Sequence, residues 1–247
     1  MATDSKGGLI TGYRNGRMEV FDADGGRFKI QANISARDVG VLSDGRFVTL
    51  TRKNRLHMYE SDGSPLQRKV TFDIEGEDFV DAIAVDIHDS IFLLIPEQAL
   101  VVVFAPSGGR ASCRLDLDYP IPSGVSEMTV SASGQILIVA DDAVLTFDAE
   151  GSLCQRTGLA RTERVSCDRQ GNLWVLSFHS VDQATAAQVM LDKYNGEDGS
   201  HIASSTVPTR QCRKGFDSWG IGLSERSFAA LIADNEIAFF ALSRSEQ

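Results

Sequence analysis

An aromatic residue that ends an apolar run and is followed by a polar turn recurs along the whole chain. The six aromatics are spaced 38 to 47 residues apart and are Phe21, Tyr59, Phe104, Phe147, Tyr194 and Phe240. The turns after the first five read DADGG, ESDGS, APSGG, DAEGS and NGEDGS. A period of this length predicts a repeat architecture, in which each unit buries its apolar surface against its neighbours.

Each repeat also contains an apolar segment upstream of its aromatic, separated from it by a polar turn. These segments are residues 8–13, 46–51, 91–95, 135–140, 172–178 and 227–233. In the fourth repeat the run ILIV at residues 136–139 is followed by the turn pair Asp141 and Asp142, and Phe147 ends the next run. Short apolar runs bounded by Gly, Asp and Ser are typical of β-strands. Flanking runs extend this pair of strands to four antiparallel strands per repeat.

Radial packing is the economical way for six such sheets to bury both faces. The sequence therefore predicts an all-β, six-bladed β-propeller of four-stranded antiparallel blades over residues 8–242. Residues 1–7 are expected to form an N-terminal extension and residues 243–247 a C-terminal tail. The first repeat lacks a clear innermost strand and the last lacks an outermost one. Either the N-terminal segment pairs with the last blade, or residues outside this chain complete the ring.

Composition narrows the class of protein. The chain has 24 Lys and Arg against 34 Asp and Glu, a formal net charge of −10, whereas nucleic-acid and membrane-surface proteins are usually basic. Its four cysteines form no closely spaced pair, which favours reduced thiols. The longest apolar run, residues 99–105, is too short to span a bilayer, and no secretory signal opens the sequence. We expect a cytoplasmic protein that does not associate with membranes.

Residues 130–151, VSASGQILIVADDAVLTFDAEG, resemble the NHL repeat. The other repeats match it in part, and the Asn-His-Arg segment of the NHL repeat is absent, with Asp141 and Asp142 in its place. The resemblance implies an NHL-like propeller such as the C-terminal domain of tripartite-motif ubiquitin ligases, which captures a protein or RNA partner. It also implies that the RING, B-box and coiled coil, and any oligomerisation through them, lie outside this chain.

The predicted fold sorts side chains by face. Loops that join the second and third strands of a blade, and loops between blades, emerge on one side, here called the loop face. Its predicted binding residues form a basic arc over blades five, six, one and two, together with two aromatics: Arg161, Arg164, Arg210, Arg213, Lys214, Phe216, Trp219, Arg14, Arg37, Arg52, Lys53 and Arg55. Arginines beside aromatics suit base stacking and equally a protein hot spot, while core packing is the other interpretation of Phe216 and Trp219.

Motifs for catalysis are weak. Glu127 and Asp81 are candidate ligands for a divalent metal of the kind that six-bladed lactonases hold, but no equivalent set of acids recurs. The four histidines fall on separate elements, and neither a G-x-S-x-G elbow nor a Gly-rich loop opening a helix is present. We therefore expect no catalytic residue, no metal and no cofactor in this domain.

Three functional hypotheses follow, in order of preference. The first is non-catalytic capture of a protein partner on the loop face, as the substrate-recognition domain of a tripartite-motif-type ubiquitin ligase. In this hypothesis the long loop at residues 180–187 helps to define the partner. The alternative is binding of RNA or another nucleic acid by the basic arc, with affinity that falls as salt rises. A metal-dependent lactonase or other hydrolase is the third.

Overall fold

The structure is a computed structural model of the 247-residue chain. It describes residues 2–3, 9–12, 18–21, 27–30, 36–51, 55–66, 72, 79–122, 124–140, 143–158, 162–167, 172–179, 188–195, 200–207, 221–223, 228–233 and 236–241. Regular structure in these ranges consists of 22 β-strands and one 3-10 helix, Pro96–Gln98. None of the described residues forms a helix long and apolar enough to cross a membrane.

The strands form six antiparallel sheets, numbered here in chain order. The first contains β1 (Ala2–Thr3), β2 (Leu9–Gly12), β3 (Met18–Phe21) and β4 (Arg27–Ile30). The second contains β5 (Ala36–Val41), β6 (Phe47–Thr51) and β7 (Leu56–Tyr59). The third contains β8 (Ala82–Val85), β9 (Ile91–Ile95), β10 (Leu100–Phe104) and β11 (Cys113–Asp116).

The remaining sheets repeat the same meander. The fourth contains β12 (Val125–Val130), β13 (Ile136–Ala140), β14 (Ala143–Phe147) and β15 (Leu153–Gly158). The fifth contains β16 (Thr162–Cys167), β17 (Leu173–His179), β18 (Gln188–Tyr194) and β19 (His201–Val207). The sixth contains β20 (Ile221–Leu223), β21 (Phe228–Ala233) and β22 (Glu236–Ala241).

Four-stranded antiparallel units are confirmed, but the predicted count of six four-stranded blades is wrong. Four sheets have four strands, and the second and sixth have three among the described residues. In the second sheet, β7 is followed, among the described residues, by a bridge between Tyr59 and Pro65 and by no further strand. Proline has no N–H to donate to a strand ladder, and the next residue, Leu66, reaches the Met58 carbonyl at a long 3.4 Å. Among the described residues, β22 is the last strand of the sixth sheet.

The middle strands carry the core. Every side chain of β9, β10, β13 and β14 is buried, because each of these strands has a neighbouring sheet on both faces. The aromatics at the ends of β10 and β14, Phe104 and Phe147, are fully buried. The outer strand β15 alternates between partly buried and exposed residues, as expected for a strand with one face to solvent. The recurring aromatic of the sequence is thus a packing residue.

Successive sheets meet through their first strands. β1 contacts β5, β5 contacts β8, β8 contacts β12, β12 contacts β16, β16 contacts β20, and β20 contacts β1. Ala2 pairs with Ile10 and Thr3 with Leu9, so two residues of the expected N-terminal extension supply the innermost strand of the first sheet. The first sheet therefore takes that strand from within this chain.

Acidic residues on the face opposite the loop face build turns. The Asp86 carboxylate accepts hydrogen bonds from the backbone N–H groups of His88 and Ser90, each at 2.8 Å. Asp89, in the same turn, has a left-handed backbone with φ of 65°. Its carboxylate accepts hydrogen bonds from the Ser43 backbone N–H at 2.6 Å and the Ser43 hydroxyl at 2.7 Å, which joins the second and third sheets.

Replacing Asp89 with alanine is expected to lower the free energy of unfolding by about 1.5 kcal/mol, because both exposed hydrogen bonds to Ser43 are lost and alanine is strained at positive φ. The matched variant Asp89→Gly loses the same bonds without the backbone strain and should cost about half as much. Chemical denaturation of both variants measures the difference. Equal losses would show that the backbone conformation contributes nothing.

Candidate functional site

A cluster of four side chains joins the second and third sheets where their first strands begin, on the loop face. We call Arg37, Asp38, Phe79 and Asp81 the rim cluster. Arg37 lies in a β-bulge of β5, between Ala36, which pairs with Thr51, and Asp38, which pairs with Leu50. A bulge redirects the side chain of its extra residue, and here the Arg37 side chain reaches the segment that precedes β8.

The Arg37 guanidinium makes three different contacts with that segment. Its Nη1 donates a hydrogen bond to the Val80 carbonyl at 3.0 Å. Its Nη2 forms an ion pair with the Asp81 carboxylate. Its central carbon lies 4.2 Å from the centre of the Phe79 ring. A planar, permanently charged guanidinium can donate along its edge and stack through its face at the same time, which an ammonium group cannot do.

Asp38 ties the same two sheets together through the backbone. One carboxylate oxygen accepts a hydrogen bond from the Val39 N–H at 2.8 Å. The other accepts from the Ile83 N–H at 2.9 Å, across the boundary between β5 and β8. Adjacent residues of one bulge thus hold the neighbouring sheet by opposite charges. The start of β8 is fixed in place, and Phe79 with it.

The cluster leaves an aromatic ring exposed above a shielded ion pair. The side chains of Arg37 and Asp81 are 27% and 14% exposed, whereas Phe79 is 47% exposed. Burial lowers the pKa of Arg37, and the negative charge of Asp38 opposes that change. Arginine stays charged at neutral pH even so. Within the described residues, only Ile87 and Ile202 are other large hydrophobic side chains with comparable exposure.

The structure describes two of the predicted binding side chains. Arg37 lies in the rim cluster, with its charge paired. Arg55 is exposed and immediately precedes β7, and its backbone N–H donates to the Thr51 hydroxyl at 3.1 Å. The backbone of Arg164 lies in β16, but its side chain is outside the described part, as are nine whole residues: Arg14, Arg52, Lys53, Arg161, Arg210, Arg213, Lys214, Phe216 and Trp219. The basic arc stays a prediction, as does the loop at residues 180–187, which also lies outside the described ranges.

Phe79 and Asp38 were not predicted as site residues. One signal was available: Phe79 stands three residues before Ala82, the first residue of β8, and Phe216 stands three residues before Trp219 in the sixth repeat. In the third repeat the aromatic at that place precedes the innermost strand β8, while Phe216 and Trp219 lie outside the described residues. The pairing of Arg37 with Asp81, 44 positions later, has no local signal.

The candidate metal ligands do not form a site in the described part of the chain. Asp81 is paired with Arg37, and Glu127 lies in a separate sheet on β12. No group of three or more His, Cys, Asp or Glu residues lies close enough to hold a metal ion among the residues that the structure describes.

One trio on the fifth sheet has the residue types of a hydrolase triad. The Ser204 hydroxyl donates to the Asp192 carboxylate, and the Ser204 oxygen lies 2.8 Å from His201 Nε2. Because its single proton goes to Asp192, the hydroxyl accepts from His201. A serine nucleophile requires the reverse, with histidine accepting the hydroxyl proton. This trio is therefore a structural network between β18 and β19.

Solved structures share this architecture at low sequence identity. A streptogramin B lyase has a TM-score of 0.60 at 10% identity over 96% of this chain and 91% of its own. The Pan2 WD40 domain of Neurospora crassa has a TM-score of 0.59 at 14% identity over 97% of this chain and 74% of its own. A protein of unknown function from Bacteroides caccae has a TM-score of 0.60 at 10% identity over 91% of this chain and 81% of its own.

Neither a protein-family model nor a curated protein matches this chain. The structural similarities show the fold alone, and the chain is an all-β propeller with antiparallel four-stranded blades.

Proposed function

We propose that this chain is a non-catalytic propeller that captures a protein partner on its loop face, with Phe79 as the central contact. The observation that carries this proposal is the exposed Phe79 ring held by Arg37 at the boundary of the second and third sheets. The structural neighbours support a propeller scaffold, and partner binding is a common use of that fold.

The rim cluster has the physical properties of a binding anchor. Aromatic side chains are enriched at the centres of protein interfaces, where burial of the ring supplies most of the affinity. The cation stacked on Phe79 limits ring motion before binding, so less conformational entropy is lost when a partner covers it. The ion pair beneath it is already satisfied and need not be broken.

Two finer proposals concern the assembly. We propose that the three-stranded second and sixth sheets are blades of one six-membered ring, which the ordered contacts between first strands support. We also propose, from the NHL-like repeat, that capture serves a tripartite-motif-type ubiquitin ligase whose other domains lie outside this chain.

Selection from a displayed library of random peptides tests the capture proposal. Peptides that bind the chain should lose at least roughly tenfold in affinity to Phe79→Ala, because that variant removes the exposed anchor. Ile87→Ala is the matched control, since Ile87 is 55% exposed but lies in the turn on the opposite face. Peptides that bind both variants as tightly as the unmodified chain would contradict the proposed site.

RNA binding by the basic arc is the second candidate, supported by the order of its lysines and arginines in the sequence. Fluorescence anisotropy of a mixed single-stranded RNA pool at two salt concentrations tests it. Affinity for RNA should fall steeply as salt rises, because binding releases counterions. Binding should disappear in one variant that combines Arg52→Glu, Lys53→Glu, Arg213→Glu and Lys214→Glu. Absence of binding at low salt would reject the arc and leave protein capture.

A further inference from the structure

The outer edge of the fifth sheet is a long strand open to solvent. Among the described residues, β19 is the last strand of its sheet, and β18 is its neighbour there. All side chains from His201 to Thr206 are exposed. Alternate backbone N–H and C=O groups of an edge strand point away from the sheet, where another strand can pair with them.

The composition of β19 differs from that of the other described outer strands of four-stranded sheets. β4 contains Arg27 and Lys29, β11 contains Arg114 and Asp116, and β15 contains Arg156. β19 reads HIASSTV and contains no Lys, Arg, Asp, Glu or Pro. Charges and proline are the residues that usually prevent pairing at sheet edges. Of these four strands, β19 alone lacks them.

The strand is also regular over most of its length. Ile202 forms a bulge in β19, because Tyr194 pairs with His201 and Lys193 with Ala203, and the five residues from Ala203 to Val207 then pair in unbroken register with β18. Two of their side chains bond back to β18: the Ser204 hydroxyl donates to Asp192, and the Thr206 hydroxyl donates to Met190 Sδ at 3.5 Å. These bonds tie β19 to β18.

We propose that two copies of this chain pair through β19, antiparallel and about a twofold axis at Ser205. In that register Ser205 lies opposite its own copy, Ser204 opposite Thr206 and Ala203 opposite Val207. The partner is a second copy because this self-pairing places small and β-branched residues across from each other and no like charges. It differs from the expectation that oligomerisation lies outside this chain, and it does not depend on the rim cluster.

Sedimentation velocity over a concentration series tests the pairing. The unmodified chain should form a dimer that Ser205→Lys and Ser205→Glu each weaken by roughly tenfold or more, because each variant places like charges directly opposite. An equimolar mixture of the two variants should recover dimer, since lysine then faces glutamate. Cys154→Lys, on the exposed side of the neighbouring outer strand β15, is the matched control and should leave the dimer unchanged.

Misfolded variants could not form dimer when they are mixed. Dimer in the equimolar mixture therefore distinguishes a loss of strand pairing from a loss of the fold. The proposal is overturned if the unmodified chain stays monomeric throughout the series. It is also overturned if Ser205→Lys dimerises as strongly as the unmodified chain, or if the mixture stays monomeric.

Discussion

Replacing Gly151 with alanine is expected to lower the free energy of unfolding by about 3 kcal/mol. Gly151 has a φ of +92°, where an L-residue costs about 1–2 kcal/mol. A Cβ at this position would also lie 2.6 Å from the Asp116 carbonyl oxygen, a backbone atom of the adjacent sheet. Relieving such a contact in a packed region costs about 1–3 kcal/mol more.

The matched control for this variant is Gly134→Ala. Gly134 has a similar φ of +84°, but an added Cβ would meet its nearest atom, the Cβ of Ala149, at an ordinary 3.8 Å. Gly134→Ala should therefore lower the free energy of unfolding only by the cost of placing an L-residue at positive φ, about 1 kcal/mol. Urea denaturation of both variants gives the comparison. A loss at Gly151 no larger than that at Gly134 would show that the third and fourth sheets can separate there at little cost.

Replacing Arg37 with alanine is expected to lower the free energy of unfolding by about 2–3 kcal/mol. The change leaves the Asp81 carboxylate, 14% exposed, without its partner and the Val80 carbonyl without its donor. Losing one member of a fully buried ion pair costs about 3–5 kcal/mol, and the 27% exposure of Arg37 reduces that value through solvent screening. Arg37→Ala should also lower the affinity of peptides that bind through Phe79, because the ring loses the guanidinium that supports it.

An exposed ion pair of the same sheet provides the control. Arg46 Nε lies 2.6 Å from the Asp44 carboxylate, with side chains 31% and 47% exposed, and Arg46→Ala should change stability by less than about 0.5 kcal/mol. In a double-mutant cycle, Asp81→Ala combined with Arg37→Ala should cost less than the sum of the single changes. Strict additivity would mean that the ion pair contributes nothing to the boundary between the sheets.

The strands were predictable because their signal is local. Of the six recurring aromatics, five end the third strand of their sheet: Phe21, Tyr59, Phe104, Phe147 and Tyr194 end β3, β7, β10, β14 and β18. Phe240 lies one residue before the end of β22. The run ILIVA that forms β13 is wholly buried, as an unbroken apolar segment bounded by turns predicts. The second sheet was predicted to have four strands and has three among the described residues, where Pro65 offers no N–H to the ladder after β7.

The candidate site was predicted only in part because its residues meet across a sheet boundary. Arg37 was predicted to lie on the loop face, and Asp81 was predicted only as a candidate ligand for a divalent metal. Their pairing depends on a bulge at Arg37 and on how β5 packs beside β8, and neither follows from periodicity. In the sequence, Phe79 looks like any other apolar residue before a strand. Only the structure shows that its ring is exposed and that Arg37 lies over it.

The contact between β1 and β20 sets an order of events during synthesis. Ala2–Thr3 is made before the other strands of this chain, yet the strand β20 that it contacts lies about 220 residues further along the chain. At about 5–20 residues per second, β1 waits roughly 10–40 s before β20 has been made. The middle sheets can assemble with their neighbours during that interval, while the first sheet lacks one of its two flanking contacts. Slow translation or an early stop would therefore leave this sheet exposed longest to chaperones and to other nascent chains.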